Sequence, residues 1–211
     1  SYRFTGNYEN QLRAEKRLRV VLPISLFAIF LILYFQFKKV PVTLIVFSGI
    51  GFAWAGGFIL LWCYGQDWFL NFSLFGQNLR ELFQVGSINL SVAVWVGFLA
   101  LFGIATDDGV IMTTYLEQRF REAPTRNKLE IQQRVVEAAQ KRIRPAMMTI
   151  ATTILALLPV LTSTGRGSDV MAPMALPTFG GMLLAIITVF VVPVLYCALA
   201  EIKLKFRAAQ S

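Results

Sequence analysis

Five stretches of predominantly apolar residues alternate with polar segments along the chain. They cover residues 20–37, 41–64, 88–116, 145–163 and 171–199. A helix needs roughly 17 to 25 apolar residues to cross a bilayer core about 30 Å thick, and each stretch reaches that length. The pattern therefore predicts an all-α membrane protein with five transmembrane helices.

The connections between these spans differ in length and character. Only residues 38–40 join the first two spans, which predicts a tight antiparallel hairpin of helices. Small residues on neighbouring turns of the second span favour close helix packing in this hairpin, although general glycine use in membrane helices explains them equally well. These residues are Gly49, Ala53, Gly56 and Gly57.

The connection 65–87 is rich in aromatic residues and is predicted to lie on the outer side of the membrane. Its aromatic residues are Trp68, Phe69, Phe72, Phe75 and Phe83. Aromatic rings with one polar and one apolar side are typical of the headgroup layer, so we expect an interfacial helix or hairpin. Contact with a partner protein is the alternative.

Segment 117–144 mixes charged and apolar residues, which predicts an amphipathic cytoplasmic helix lying along the membrane. Pro145 would then open the fourth span at a position where its missing N–H is harmless. The fifth span contains three prolines and the pair Gly180-Gly181, which predicts a bent or locally unwound helix. Residues 200–211 are expected to form a cytoplasmic tail.

Composition supports the membrane assignment, with 56% apolar residues, 15% charged residues and a mean hydropathy of +0.60. The net charge of +8 is compatible with nucleic-acid binding, but its distribution indicates membrane topology instead. Two basic residues lie in the first connection, eight between the third and fourth spans, and three at the C-terminus. The positive-inside rule places the C-terminus in the cytoplasm and the N-terminus outside.

The arm 1–19 carries five basic residues and opposes this orientation, which is expected if preceding chain fixes the topology. Cys63 and Cys197 are predicted near opposite ends of the bundle, so we expect no disulfide between them. The chain has no histidine and no CxxC motif, which excludes a zinc-type site within it. No nucleophile and base pair is present, so an enzyme is not supported.

Asp107 and Asp108 are adjacent acids inside the third apolar stretch. Inserting one aspartate at the centre of a membrane helix costs roughly 2.5 to 3.5 kcal/mol, so such residues point to ion or proton passage. Neighbouring residues are about 100° apart on a helix, and the two carboxyl groups cannot face the same partner. The alternative is a buried, hydrogen-bonded pair with no role in transport.

Three threonines on neighbouring turns of the fourth span, Thr149, Thr152 and Thr153, are candidates for a proton relay with these acids. Their hydroxyl groups can hydrogen-bond a carboxylate or hold a chain of water molecules. Hydrogen bonds to carbonyl groups of their own helix are an equally good interpretation.

Several motifs resemble the resistance-nodulation-division (RND) efflux permeases, and within them the heavy-metal branch. They are GIATDDGVIM at 103–112, RIRPAMMT at 142–149, LLPVLTSTGRGSDVM at 157–171, FGGM at 179–182 and VPVLY at 192–196. The resemblance implies the last five helices of a twelve-span proton antiporter in the bacterial inner membrane. The arm 1–19 would then descend from a missing periplasmic domain.

The resemblance also implies roles for individual residues. Asp107 falls on the family's proton-relay acid, and Met171 on a methionine that passes soft metal ions in copper-exporting relatives. A thioether suits Cu(I), which makes export of copper or silver the favoured function. No cofactor is expected apart from the transported metal ion. Copper-exporting relatives have a lysine where this chain has Ala146, so Asp108 or the absent half of the permease has to compensate.

The resemblance implies several partners besides the lipid bilayer. They are the missing N-terminal portion of the permease, two further copies in a homotrimer, a periplasmic adaptor and an outer-membrane channel. We expect the chain to be inactive alone. Alternatives are an RND permease for drugs or other organic substrates, and a non-transporting membrane scaffold from a split or degenerate gene. A scaffold should tolerate loss of both aspartates.

Overall fold

The computed structural model of the chain describes residues 5–74, 76–88, 90–122 and 127–208. The helices of this part are α1 (Thr5–Phe37), α2 (Val40–Tyr64), α3 (Leu79–Leu82), α4 (Val92–Glu122), α5 (Lys128–Leu161) and α6 (Ser168–Ala208). Two short antiparallel strands, β1 (Ser73–Leu74) and β2 (Gln77–Asn78), pair with each other. All helices except α3 are long and apolar enough to cross a bilayer. The predicted all-α fold with five membrane-length helices is confirmed.

Helix α6 lies at the centre of the bundle and packs against α2, α4 and α5. The main core is formed by large side chains of α4, such as Phe98 and Phe102, together with Val46 of α2 and Met182 of α6. Helix α1 is peripheral and contacts α2 and α4. Its burial is concentrated at its C-terminal end, where Phe37 is buried.

Three of the four small residues of α2, Ala53, Gly56 and Gly57, lie against α6, whereas the hairpin prediction placed them against α1. Gly57 also contacts Phe98 of α4, and a Cβ at Gly49 would meet nothing within 4 Å. A Cβ atom built at Gly56 would lie 2.5 Å from the carbonyl oxygen of Gly180, and the reciprocal distance is also 2.5 Å. A Cβ at Gly57 would lie 3.0 Å from the carbonyl oxygen of Pro177. Glycine is needed where backbones approach closely, and the α2–α6 contact is such a place. Gly97 of α4 approaches the carbonyl group of Met174 on α6 still more closely.

Helix α5 differs from the predicted division into a surface helix at 117–144 and a span that begins at Pro145. Residues 117–122 belong to α4, and Lys128–Leu161 is one helix with Pro145 in its interior. The apolar stripe of its charged half, including Ile131 and Val135, is buried in the bundle. The proline removes a single backbone hydrogen bond, and buried residues before it and after it, such as Ile150, stabilise the helix on both sides of Pro145.

Helix α6, predicted to be bent or locally unwound, is continuous from Ser168 to Ala208 and includes most of the predicted tail. The local unwinding expected from its prolines is absent within these residues. The glycine pair serves packing instead. A Cβ at Gly181 would collide with the side chain of Leu101 and lie 2.9 Å from the carbonyl oxygen of Ala53.

A substitution at the α2–α6 contact should destabilise the bundle. We expect Gly56→Ala to lower the free energy of unfolding by about 1 to 3 kcal/mol, because the added methyl group overlaps the Gly180 carbonyl. Gly51 is the matched control on the same helix, since a Cβ there meets nothing within 4 Å. Unfolding in mixed detergent micelles measures both variants. Equal stability of Gly56→Ala and Gly51→Ala would contradict the close contact.

Candidate functional site

Asp107 is exposed on α4 and lines a groove of about 690 Å³ between α1, α4 and α5. Ile29 and Ile32 of α1 form one wall of this groove. Thr149 and Thr153 of α5 form another. The carboxyl group of Asp107 therefore faces a wide opening at the edge of the bundle.

Asp108 lines a different and smaller cavity of about 100 Å³ between α4, α5 and α6. Arg142, Ala146 and Thr149 contribute from α5, and Thr188 contributes from α6. The Oδ2 atom of Asp108 is buried and has no hydrogen-bond partner among the described residues. Because buried polar atoms are nearly always satisfied, this oxygen marks a place for water or for a proton.

Asp107 and Asp108 thus line separate spaces, because neighbouring residues on a helix point about 100° apart. Thr149 lines both the groove of Asp107 and the cavity of Asp108. Within the described part of the chain, Thr149 is the single residue that the two linings share, so its hydroxyl group is the candidate link between the two carboxyl groups.

The three threonines of α5 donate hydrogen bonds to carbonyl groups of their own helix. Thr149 Oγ1 donates to Pro145 over 3.2 Å, and Thr153 Oγ1 donates to Thr149 over 2.8 Å. Thr152 Oγ1 lies 2.9 Å from the carbonyl oxygens of Met148 and Thr149, and Thr152 lines neither space. A hydroxyl group that donates still has lone pairs that accept, so Thr149 and Thr153 remain available to a proton donor.

Arg142 is a candidate residue that the sequence analysis did not single out. It lines the cavity of Asp108, and its Cζ atom lies 4.8 Å from the ring centroid of Tyr115. Arg119 donates hydrogen bonds to the hydroxyl of the same tyrosine over 3.1 and 3.3 Å. Arg142 lies seven residues before Thr149, or two helical turns, and this spacing is the signal that could have identified it.

Thr188 is the second residue that the sequence analysis missed. It is buried on α6, lines the cavity of Asp108, and donates a hydrogen bond to Ala185 over 2.7 Å. It is the single polar side chain between Gly180 and Tyr196. A lone hydroxyl in so apolar a run is a usable signal in a membrane helix.

Met171 lies apart from both aspartate cavities, in the first turn of α6, with 55% of its surface exposed. Its thioether therefore faces outwards at the end of the bundle that carries the connection 65–87. Within the described ranges, no three His, Cys, Asp or Glu residues are grouped to hold a metal ion. Cys63 and Cys197 are both free thiols.

Comparison with known proteins identifies relatives over nearly the whole chain. The model of the AcrB/AcrD/AcrF family matches residues 1–76 and 79–200. The chain is 36% identical over 203 residues to the cation efflux system protein CusA of Escherichia coli K12, covering 93% of this chain and 17% of that protein. It is 32% identical over 192 residues to the cobalt-zinc-cadmium resistance protein CzcA of Cupriavidus metallidurans, covering 90% and 16%.

Solved structures agree with these relatives. The fold is similar to the crystal structure of a heavy metal efflux pump, with a TM-score of 0.68 and 32% sequence identity. That match covers 92% of this chain and 17% of the pump. The chain thus spans about one sixth of the length of the relatives that it matches. The resemblance to the heavy-metal RND permeases is confirmed, and the chain belongs to the AcrB/AcrD/AcrF family.

Proposed function

We propose that this chain is the membrane-embedded part of a proton-driven permease that exports heavy-metal cations. It forms the last five helices of a twelve-span protein and is inactive without the rest. The observation that carries the proposal is the pair of adjacent carboxyl groups in separate spaces that share Thr149. The names of relatives such as CusA and CzcA support cation export as the transport function.

Asp107 and Asp108 bind and release the proton in this proposal. Low dielectric disfavours a charged carboxylate, and a nearby cation favours it, so movement of the cation can load or unload a proton. The groove of Asp107 admits the proton, and the hydroxyl groups of Thr149 and Thr153 accept and donate hydrogen bonds beside it. Each proton that crosses the membrane supplies about 2.3 kcal/mol per 100 mV.

In this proposal, Arg142 supplies the positive charge of the lysine that copper-exporting relatives have where this chain has Ala146. Both residues lie one helical turn apart on α5 and line the cavity of Asp108. The guanidinium group contacts the face of Tyr115, seven residues beyond Asp108 on the same side of α4. Arg142 exchanges between Tyr115 and Asp108 as the carboxyl group loses its proton.

Charge and family support the orientation and assembly of this proposal. The N-terminus lies in the periplasm and the C-terminus in the cytoplasm of a bacterial inner membrane, because 13 of the 20 basic residues lie in segments 38–40, 117–144 and 200–211, on one side of the predicted topology. Family membership and the short coverage of the relatives support a larger permease around this block. That permease acts as a homotrimer with a periplasmic adaptor and an outer-membrane channel.

Copper and silver are the favoured cargo, because the exposed thioether of Met171 is a soft ligand suited to Cu(I). The name of CzcA refers to harder cations, namely cobalt, zinc and cadmium. The metal preference therefore rests on Met171 and is tested separately from proton coupling.

Replacing the aspartates should abolish proton-coupled export. We expect Asp107→Asn and Asp108→Asn, made in the gene product that contains this chain, to reduce metal-driven proton release from everted vesicles at least about 100-fold. Asp169→Asn is the control, because this exposed acid lies in the first turn of α6. Full activity of both aspartate variants would contradict the proposal. If the unchanged protein shows no transport and the double variant is tolerated, a non-transporting scaffold would be supported.

Replacing Arg142 should show how far export depends on its positive charge and how far on its planar guanidinium group. We expect Arg142→Gln to reduce proton-coupled export at least about tenfold, and Arg142→Lys to restore part of it, because lysine keeps the charge but loses the planar guanidinium group. Arg144→Gln is the matched control, since Arg144 is exposed two residues away and lines neither space. Equal export by the Arg142→Gln and Arg144→Gln variants would exclude Arg142 as the cation.

Replacing Met171 should alter metal preference. We expect Met171→Leu to lower export of Cu(I) and Ag(I) about tenfold and to leave Zn(II) export unchanged, since leucine retains the volume but cannot bind a soft ion. Met148→Leu is the control, because Met148 is 63% exposed on α5. Metal accumulation in cells that carry each variant gives the measurement. Unchanged Cu(I) and Ag(I) export would remove Met171 from the metal path.

A further inference from the structure

The connection between α2 and α4 is an ordered cap on one end of the bundle. Arg80 donates hydrogen bonds to the carbonyl oxygen of Asp67 over 2.6 Å and to its Oδ1 atom over 3.2 Å. Gln84 Nε2 donates to the carbonyl oxygen of Ser163 over 2.7 Å and thereby ties the cap to the α5–α6 connection. The cap therefore holds its side chains in fixed directions relative to the helices.

The aromatic residues of the cap divide into two sets. Phe69 stacks on Tyr64 with ring centroids 5.6 Å apart, and both Phe69 and Phe83 pack on a second core with Leu161 and Leu176. Trp68 and Phe72 face outwards, with 65% and 54% of their surfaces exposed. Phe75 lies outside the described residues. Phe69 and Phe83, the inner set, anchor the cap to the helices. Trp68 and Phe72, the outer set, take no part in that packing.

Trp68 and Phe72 lie close to the level at which the membrane helices end. Trp68 follows the last residue of α2 by four positions, and Leu90, 56% exposed, precedes α4 by two. Trp62, in the last turn of α2, is 62% exposed and extends the apolar surface towards the bilayer core. The outward side chains thus lie within a few residues of the exposed apolar residues at the ends of α2 and α4.

Polar residues separate the outward aromatic residues. Asp67, Asn71 and Ser73 are all exposed between or beside Trp68 and Phe72. A water-exposed surface gains nothing from two large rings, and burying polar groups such as the Asn71 amide and the Ser73 hydroxyl in a dry protein contact costs free energy unless they are hydrogen-bonded there. The headgroup and glycerol layer of a bilayer accommodates both kinds of side chain, and Trp is enriched there.

We propose that the cap 65–87 is an interfacial anchor whose Trp68 and Phe72 side chains insert into the headgroup and glycerol layer of the bilayer. The inner aromatic residues transmit this anchoring to α2 and α6 through the second core. The anchor fixes the depth of the bundle and does not depend on proton coupling or on the identity of the cargo.

Depth-dependent quenching tests the anchor. Phe72→Cys is labelled with a bimane fluorophore in the membrane-inserted gene product that contains this chain, after native cysteines that react with the label have been replaced. Vesicles contain phosphatidylcholine brominated near the glycerol end or near the tail end of its acyl chains. We expect the bromines near the glycerol end to quench roughly twofold more strongly than those near the tail end. Phe52→Cys, at the middle of α2 and 41% exposed, and Lys203→Cys are labelled as the bilayer-core and water controls.

Three results would overturn the anchor. Stronger quenching by aqueous iodide than by either brominated lipid would place the cap in water. Protection from both iodide and bromine would show that another part of the permease or a partner protein covers it. A bromine profile equal to that of the Phe52 label would place Phe72 in the bilayer core. Labelled Phe69→Ser protein should lose the shallow profile, because the inner ring holds the cap in place.

Discussion

The close contact between α2 and α6 is the constraint on which the rest of the bundle depends. Lipid tails are as apolar as leucine side chains, so membrane helices gain little from apolar burial and associate through close packing. Gly56 and Gly180 permit that packing, and α6 becomes the central helix against which α4 and α5 lie. Thr178 adds a hydrogen bond of 3.2 Å to the carbonyl oxygen of Gly97 on α4.

This arrangement explains why the two aspartates have unlike surroundings. In the most apolar 18-residue stretch of α1 and of α5, 6% of the residues are buried. In the corresponding stretches of α2, α4 and α6, 39–44% of the residues are buried. Asp107 opens towards the sparsely packed side between α1 and α5, while Asp108 lies against α6. A single helix therefore carries one accessible and one sheltered carboxyl group in consecutive positions. Thr149 of α5 lies beside both because α5 borders the groove and the cavity.

The sequence predicted the elements better than their contacts. Apolar runs of membrane length fix where helices lie, because the bilayer requires that length. The partner of Gly56 was not predictable, since a glycine on α2 carries no information about which helix approaches it. The continuity of α5 was also missed, because a proline after basic residues is typical of a helix start, whereas burial on both sides of Pro145, for example at Val135 and Ile150, stabilises one helix.

The candidate site was also predictable only in part. Charged groups in an apolar run identify Asp107 and Asp108, and helix geometry separates their directions. Arg142 was missed because it belongs to a basic segment in which Lys141 and Arg144 look equivalent by sequence. Its distinction is the cavity that it shares with Asp108, and the assembly of α4, α5 and α6 creates that cavity.

Helix α4 contains a second buried acid, Glu117, with which Asp108 can be compared. Glu117 is 8% exposed and forms an ion pair with Lys39 of the α1–α2 connection. This pair satisfies the carboxylate and ties that connection to α4, as expected of an acid with a structural role. Asp108 lies nine residues earlier on the same helix, and its buried Oδ2 atom has no partner in the described part of the chain. The proposed proton exchange needs a carboxyl group that no ion pair of this kind holds, and the Oδ2 atom of Asp108 meets that requirement.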